Sequence, residues 1–204
     1  MIDLNPKLRE RLDGLVSRIN GLKEREFINR ELFVTSTYLL KNPGKLLRPT
    51  LVFTGAEILN DENTDYTDLA AGIELLHVSS LIHDDIIDKS ATRRGVKAVH
   101  VAFNPDAALL AGDALISKAI LLVSKYGTEV IEKISSAAME MCAGELLDSK
   151  LANKPVTLDQ YITISQLKSA SLIGTSLSIV GTYLHSPLEP NLDKIGRYLG
   201  VAFQ

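Results

Sequence analysis

From Thr67 to Lys89 the chain is apolar on nearly every side of a helical pattern, and then turns acidic without leaving that pattern. A helix that is greasy all round belongs inside a protein. At 1.5 Å per residue this one would run roughly 35 Å, enough to cross a whole domain, with Thr67 expected as its N-cap. At about 100° per residue, His77, Asp84 and Asp88 share one stripe and Asp85 lies beside it. Acids four apart repel, and acids at a helix C-terminus oppose its dipole, so neither arrangement helps the helix itself. A cation is the expected compensation. Oxygen-only ligands at one helix end suit Mg²⁺, which keeps several waters and completes its shell from substrate phosphates. Arg93 and Arg94, just past the helix, suit phosphate oxygens. A solvated acidic helix end is the plainer alternative, and the apolar run Leu75-Leu76-His77-Val78-Ser79-Ser80-Leu81-Ile82 weighs against it. Zinc fits less well, because His77 and His83 do not share a face and no cysteine is near.

The remaining strong segments also repeat near 3.6 residues and none alternates, so the fold class is all-α. Helices are predicted from Pro6 to about Lys23, from about Glu26 to Lys41, from Pro49 to Leu59, from Asp106 to Tyr126 and from Thr128 to Lys150. Another starts at the capping box Thr157-Leu158-Asp159-Gln160 and runs past Lys168-Ser169 toward Tyr183. Asn42-Pro43-Gly44 breaks the chain before Lys45 and Arg48, two cations at the mouth of a helix opened by Pro49, where anions are already attracted. Residues 95–105 form a connector holding His100, and Gly127 is a likely-placed C-cap by type. Asp113, in the middle of an apolar helix, should be paired or face the site. His185 to Pro190 is expected as a break before a last helix near Asn191, and that helix reaches Gln204 with its apolar pattern still open.

With 204 residues, 46% of them hydrophobic, the chain can bury one sizeable core, so residues 1–204 are expected to form a single domain. A net charge of −3 argues against a general nucleic-acid binder. The single cysteine, Cys142, excludes an internal disulfide, fits a cytoplasmic setting and is expected to be buried in its apolar run. No charged-then-apolar leader opens the chain, and no long apolar run escapes charged or polar breaks, so no transmembrane segment is expected.

Taken in order, Gly44-Lys45-x-x-Arg48-Pro49, Glu74-x-x-His77, Leu81-Ile82-His83-Asp84-Asp85-x-x-Asp88, Arg93-Arg94-Gly95, Ala111-Gly112-Asp113, Lys168-Ser169 and Phe203-Gln204 resemble the trans-isoprenyl (polyprenyl) diphosphate synthases. That resemblance covers essentially the whole chain. It implies an antiparallel helix bundle around a deep central cavity, usually a homodimer. It implies that isopentenyl diphosphate is condensed with an allylic diphosphate through Mg²⁺-assisted ionisation, giving a linear all-trans polyprenyl diphosphate. It gives Asp84 and Asp88 to Mg²⁺ with Asp85 in support, and Arg93 to the allylic diphosphate. Lys45, Arg48, His77 and Arg94 would hold isopentenyl diphosphate. Lys168 would stabilise the leaving diphosphate, with Ser169 beside it and Gln204 near the allylic group.

The resemblance also marks departures. Leu46 stands where a basic residue is often found, Pro43 where glycine is, Ser169 where threonine is, and Glu145 where glutamine is common. The second aspartate-rich motif that follows the Phe-Gln pair in the family would fall after Gln204, so the sequence is expected to be truncated at its C-terminus and its turnover impaired as given. In the family a bulky aromatic four or five positions before the first aspartate stops chain growth. Those positions are Ser80 and Ser79 here, which implies a product longer than the C20 class. Two other readings compete: a non-catalytic subunit of a heteromeric synthase, which would not need the acids and arginines, and a terpene cyclase, which would not need Lys45 and Arg48 for a second diphosphate.

Overall fold

The computed structural model describes residues 5–152 and 154–204, and they are all-α apart from one two-residue hairpin. The helices are α1 (Pro6–Asn20), α2 (Arg30–Thr37), α3 (Leu47–Ile58), α4 (Thr67–Ile87), α5 (Val99–Ala102), α6 (Pro105–Val123), α7 (Thr128–Leu151), α8 (Leu158–Ser165), α9 (Ser171–Tyr183) and α10 (Glu189–Phe203). The hairpin pairs β1 (Thr92–Arg93) with β2 (Val96–Lys97). The chain groups into two compact units, one of Met1–Leu47 with Thr67–Leu122 and one of Arg48–Tyr66 with Val123–Gln204.

In the first unit α1 lies on α4. Leu8, Leu12, Leu15 and Ile19 repeat at helical spacing and are all buried. Arg18 adds an ion pair, its Nε 2.7 Å from an Asp68 oxygen. The helix expected from Glu26 to Lys41 is in fact broken. The Asn29 side chain accepts from the Leu32 amide at 2.9 Å and so caps a new helix, while Ile28 at φ 71° turns the chain. Short 3₁₀ turns, Glu24–Phe27 and Leu39–Lys41, flank α2. Tyr38 meets Phe103 edge to face, with ring centres 5.4 Å apart.

α4 is buried from Leu69 to Leu76 without interruption, as its composition requires. It begins at Thr67 itself and ends two residues before Lys89. Lys89 takes φ 54°, Ser90 donates its amide to the Asp85 carbonyl at 3.0 Å, and Lys89 donates to Ile86 at 3.4 Å. Those two bonds are a Schellman closure. Asp84 and Asp85 therefore occupy the last turn and Asp88 the C-cap.

One helix, Pro105–Tyr126, is long and apolar enough to cross a membrane by length and composition. Its residues Ala108, Ala111, Leu115, Ala119 and Leu122 form a buried stripe, and Lys118 pairs with Glu26. These are the features of a core helix of the first unit.

In the second unit α9 is buried from Ser171 to Gly181 and packs on α7 and α10. Two glycines of α10 allow the helices to approach closely. A Cβ on Gly196 would come within 2.7 Å of the Gly174 α-carbon, and one on Gly200 within 2.4 Å of the Ala170 α-carbon. Pro190 sits in the first turn of α10 and so opens that helix two residues earlier than the sequence predicts. Arg197 ties α10 to α7 through two bonds to Glu140, at 2.7 and 3.0 Å, and bonds Asp193 on its own helix at 2.7 Å. Tyr66, Tyr126 and Tyr183 cluster with ring centres 5.5–6.1 Å apart, and two of their hydroxyls are bonded, Tyr66 to Asp61 and Tyr126 to the Asp65 carbonyl.

The helix predicted to run unbroken from Thr157 past Lys168 carries a π turn, Gln166–Ala170, between α8 and α9. Its start is as expected: Thr157 and Gln160 cap each other's amides at 3.2 and 2.9 Å.

Candidate active site

The three acids at the end of α4 have different surroundings. Asp85 is fully buried and holds Arg93, while Asp84 is half-buried and Asp88 exposed. Arg93 gives both Nε, at 2.9 Å, and Nη2 to the same Asp85 oxygen. The other Asp85 oxygen is buried with no hydrogen-bond partner. The bond from Asp85 raises the Arg93 pKa above its ordinary value against the opposing effect of burial, and the charges of Asp84 and Asp88 add to the rise. Arg93 is thus a fixed cation beside the two more accessible acids.

Adjacent arginines in one chain would be expected to work together, but the hairpin separates them. Arg94 and Gly95 are its two loop residues, at φ 51° and 80°, as a two-residue turn with positive φ at both positions requires. Arg93 stays on β1, paired opposite Val96. Arg94 turns to Glu74, 3.3 Å away, and donates to the Asn42 carbonyl at 3.2 Å. Gly44 lies flat against its guanidinium: a Cβ there would be 2.9 Å from Nη2. The Arg94 head and the loop that carries Lys45 are therefore in direct contact. Glu74 is buried and pairs with Arg94, a partnership the Glu74-x-x-His77 spacing hinted at without assigning a role.

His83 fixes the acidic end of α4 to α6. Its Nε2 is 3.1 Å from the Leu109 carbonyl, which can only accept, so Nε2 carries the proton. Asp113 lies 3.7 Å from the same nitrogen, which meets the expectation that it be paired or near the site. A Cβ on Gly112 would sit 2.2 Å from His83 Nε2, so only glycine admits the ring.

Mg²⁺ asks for near-octahedral oxygen ligands and takes one or two carboxylates from a protein, leaving the remainder to waters and phosphates. Asp84 and Asp88, four apart at one helix end, are such a pair. Among the described residues no group of three or more His, Cys, Asp or Glu side chains could hold a metal by itself. An ion here would need a phosphate-bearing ligand to complete its shell, so the donor set fits Mg²⁺ shared with a substrate.

His77 is half-buried one turn before Ser80, and the Ser80 hydroxyl donates to the His77 carbonyl at 2.8 Å. Ser79 is 1% exposed and its hydroxyl oxygen has no hydrogen-bond partner.

In the second unit Arg48 and Pro49 begin the part of α3 that belongs there. Lys168 sits in the middle of the π turn with its Nζ 2.6 Å from Asp148 and 2.6 Å from Glu145. Ser169 donates to the Gln204 side chain, so three of the expected site residues come together at one place. Sequence reasoning missed Asp148, and noted Glu145 only as a departure. Cys142, expected to be buried, is exposed: it lies on α7 two residues before Gly144, on a side that the described residues leave uncovered.

The polyprenyl synthetase family model matches residues 29–204. Geranylfarnesyl diphosphate synthase of Methanosarcina mazei is 36% identical over 164 residues, which are 79% of this chain and 55% of that protein. Octaprenyl diphosphate synthase of Escherichia coli is 30% identical over 208 residues, covering 100% of this chain and 60% of that one. The chain thus spans little more than half the length of these curated relatives. A crystal structure of a geranyltransferase from Helicobacter pylori, complexed with magnesium and isoprenyl diphosphate, matches with a TM-score of 0.85 and 26% identity over 98% of this chain and 74% of that one.

Proposed function

The chain belongs to the polyprenyl synthetase family, and on that premise we propose that its protein is a trans-prenyltransferase joining isopentenyl diphosphate to an allylic diphosphate. The observation that carries the proposal is the division of labour at the end of α4: Asp85 is spent on Arg93, while Asp84 and Asp88 remain accessible. A purely structural acid cluster has no reason to be split in this way.

In this reading Asp84 and Asp88 hold Mg²⁺, which neutralises charge on the allylic diphosphate when bound. Arg93, set by Asp85, meets the same diphosphate, and Lys168 meets it as it leaves with the electron pair of the allylic C–O bond. Lys45, Arg48, His77 and Arg94 orient isopentenyl diphosphate so that its double bond faces the allylic carbon left behind. A new C–C bond forms there, and the proton lost from the isopentenyl unit passes to diphosphate. Ser169 and Gln204 sit beside the allylic group. The apolar helices keep water from the cation until it reacts.

The product is linear, all-trans and longer than C20, because small Ser79 and Ser80 stand where a bulky ring would stop growth. Relatives named for geranylfarnesyl and octaprenyl products make a long product chemically reasonable. The working form is a homodimer, supported by α6, which leaves Leu110 57% and Leu121 66% exposed.

The test is elongation by the full-length protein with both substrates and Mg²⁺. Chain growth is expected, and it should stop when the metal is chelated. Asp84→Ala should lower turnover about 100- to 1000-fold, the usual effect of removing one preorganised electrostatic contact. No elongation, or elongation indifferent to Asp84→Ala, would overturn the proposal.

A further inference from the structure

Lys168 is seated more elaborately than a surface lysine would be. The π turn Gln166–Ala170 is a break in hydrogen-bond register of a kind that recurs at functional sites. α7 lies directly beneath it: a Cβ on Gly144 would be 2.4 Å from the Lys168 amide nitrogen and 2.7 Å from its α-carbon. The next residue and the fourth, Glu145 and Asp148, stand three apart and so share a side of α7. Both carboxylates reach Nζ at 2.6 Å. An ammonium has three tetrahedral donors. Two carboxylates occupy two of them and leave the direction of the third determined.

We propose that Glu145 and Asp148 are positioning residues that together aim the remaining N–H of Lys168 at a diphosphate oxygen. The inference rests on the reading that Lys168 meets the leaving diphosphate. A lone acid would hold the ammonium at one point and let it swing about that contact. The second acid removes the swing. Glu145 is the residue that makes the clamp double in this chain, since the resemblance leads one to expect glutamine there. The pair also keeps Lys168 charged. Burial alone would lower its pKa, but the bonds to Asp148 and Glu145 outweigh it and raise the pKa well above the ordinary lysine value.

A structural tie between α7 and the π turn is the competing role, and the experiment separates the two. In the full-length protein, Glu145→Leu, Glu145→Gln, Asp148→Asn and Lys168→Ala are compared by steady-state kinetics and thermal unfolding. Lys168 is also probed by competitive acetylation with acetic anhydride, read by peptide mass spectrometry with and without Mg²⁺ and inorganic diphosphate. Glu145→Leu is expected to lower kcat about 10- to 100-fold, the scale of a misplaced catalytic group, with KM for isopentenyl diphosphate unchanged. It should make Lys168 acetylate several-fold faster. Glu145→Gln retains an acceptor oxygen and should recover most of kcat. A melting temperature that falls while kcat holds would assign the clamp to structure and overturn the proposal. So would an acetylation rate that neither acid variant changes. Lys168→Ala turning over like the wild type would instead remove the diphosphate role of Lys168, even if acetylation still responded to Glu145.

Discussion

Arg93 binds Asp85 through two nitrogens on a single carboxylate oxygen, and the second oxygen of that carboxylate is buried with no hydrogen-bond partner. This pairing makes Asp85 the anchor of the site and Arg93 its fixed cation. Arg93→Met should cost about 3 kcal/mol in urea unfolding, because it leaves a fully buried carboxylate without its countercharge. Asp85→Asn should cost less, since the amide can still accept from Arg93. Equal costs for the two changes would show that shape, and not charge, holds the pair.

Gly112 and His83 give a second test. A Cβ at 112 meets the ring at 2.2 Å and has no flexible chain end to displace. Gly112→Ala should lower stability by about 1–3 kcal/mol, the range for forced overpacking. The double change Gly112→Ala with His83→Ala should cost less than the sum of the single changes, because the clash disappears with the ring. Additive costs in thermal unfolding would place the strain elsewhere.

Acid stability should depend on Asp193. Burial pushes its pKa up, but the bond from Arg197 and the charges of Lys133 and Arg197 outweigh burial and hold it below the ordinary carboxylate value. On acidification the unfolded chain therefore takes up a proton at this residue before the folded one does. The contribution is present above about pH 4 and is lost as the pH falls through the folded-state pKa. Asp193→Asn should flatten that part of the stability profile. An unchanged slope between about pH 4 and pH 2 would remove Asp193 as the source.

Product length should answer to the two serines. Ser80→Phe is expected to shift the products of the full-length protein to shorter chains, measured by mass spectrometry after dephosphorylation. Ser79→Phe should do the same with a larger stability cost, since Ser79 is buried and a ring must displace its neighbours. Products of unchanged length from a folded, active Ser80→Phe protein would rule out this face of α4 as the stop.

The helices were legible because their apolar spacing is strong and their caps are local: Thr157 and Gln160 close on each other as their spacing predicts. What the sequence hid depends on contacts far along the chain, or on backbone geometry that side-chain periodicity does not register. Asn29 splits a continuous apolar pattern because its side chain caps a fresh helix. Arg93 and Arg94 look like one motif, yet positive φ at Arg94 and Gly95 sends them to Asp85 and Glu74. The acids of α4 could be read as a group, but not the burial that sets Asp85 apart, because its partner arrives from the hairpin. Glu145 and Asp148 could be matched to Lys168 only once the π turn was known.

The π turn also has a consequence for heredity. It uses one residue more than an α-helical turn in the same place, so everything after it is rotated. Deleting a single position between 166 and 170 would restore an ordinary helix from Leu158 to Tyr183 and rotate the later part by about 100°. Gly174 would swing off its seat on Gly196. Point changes in this segment can be weighed one at a time, whereas a change in its length alters the whole second half of the fold at once.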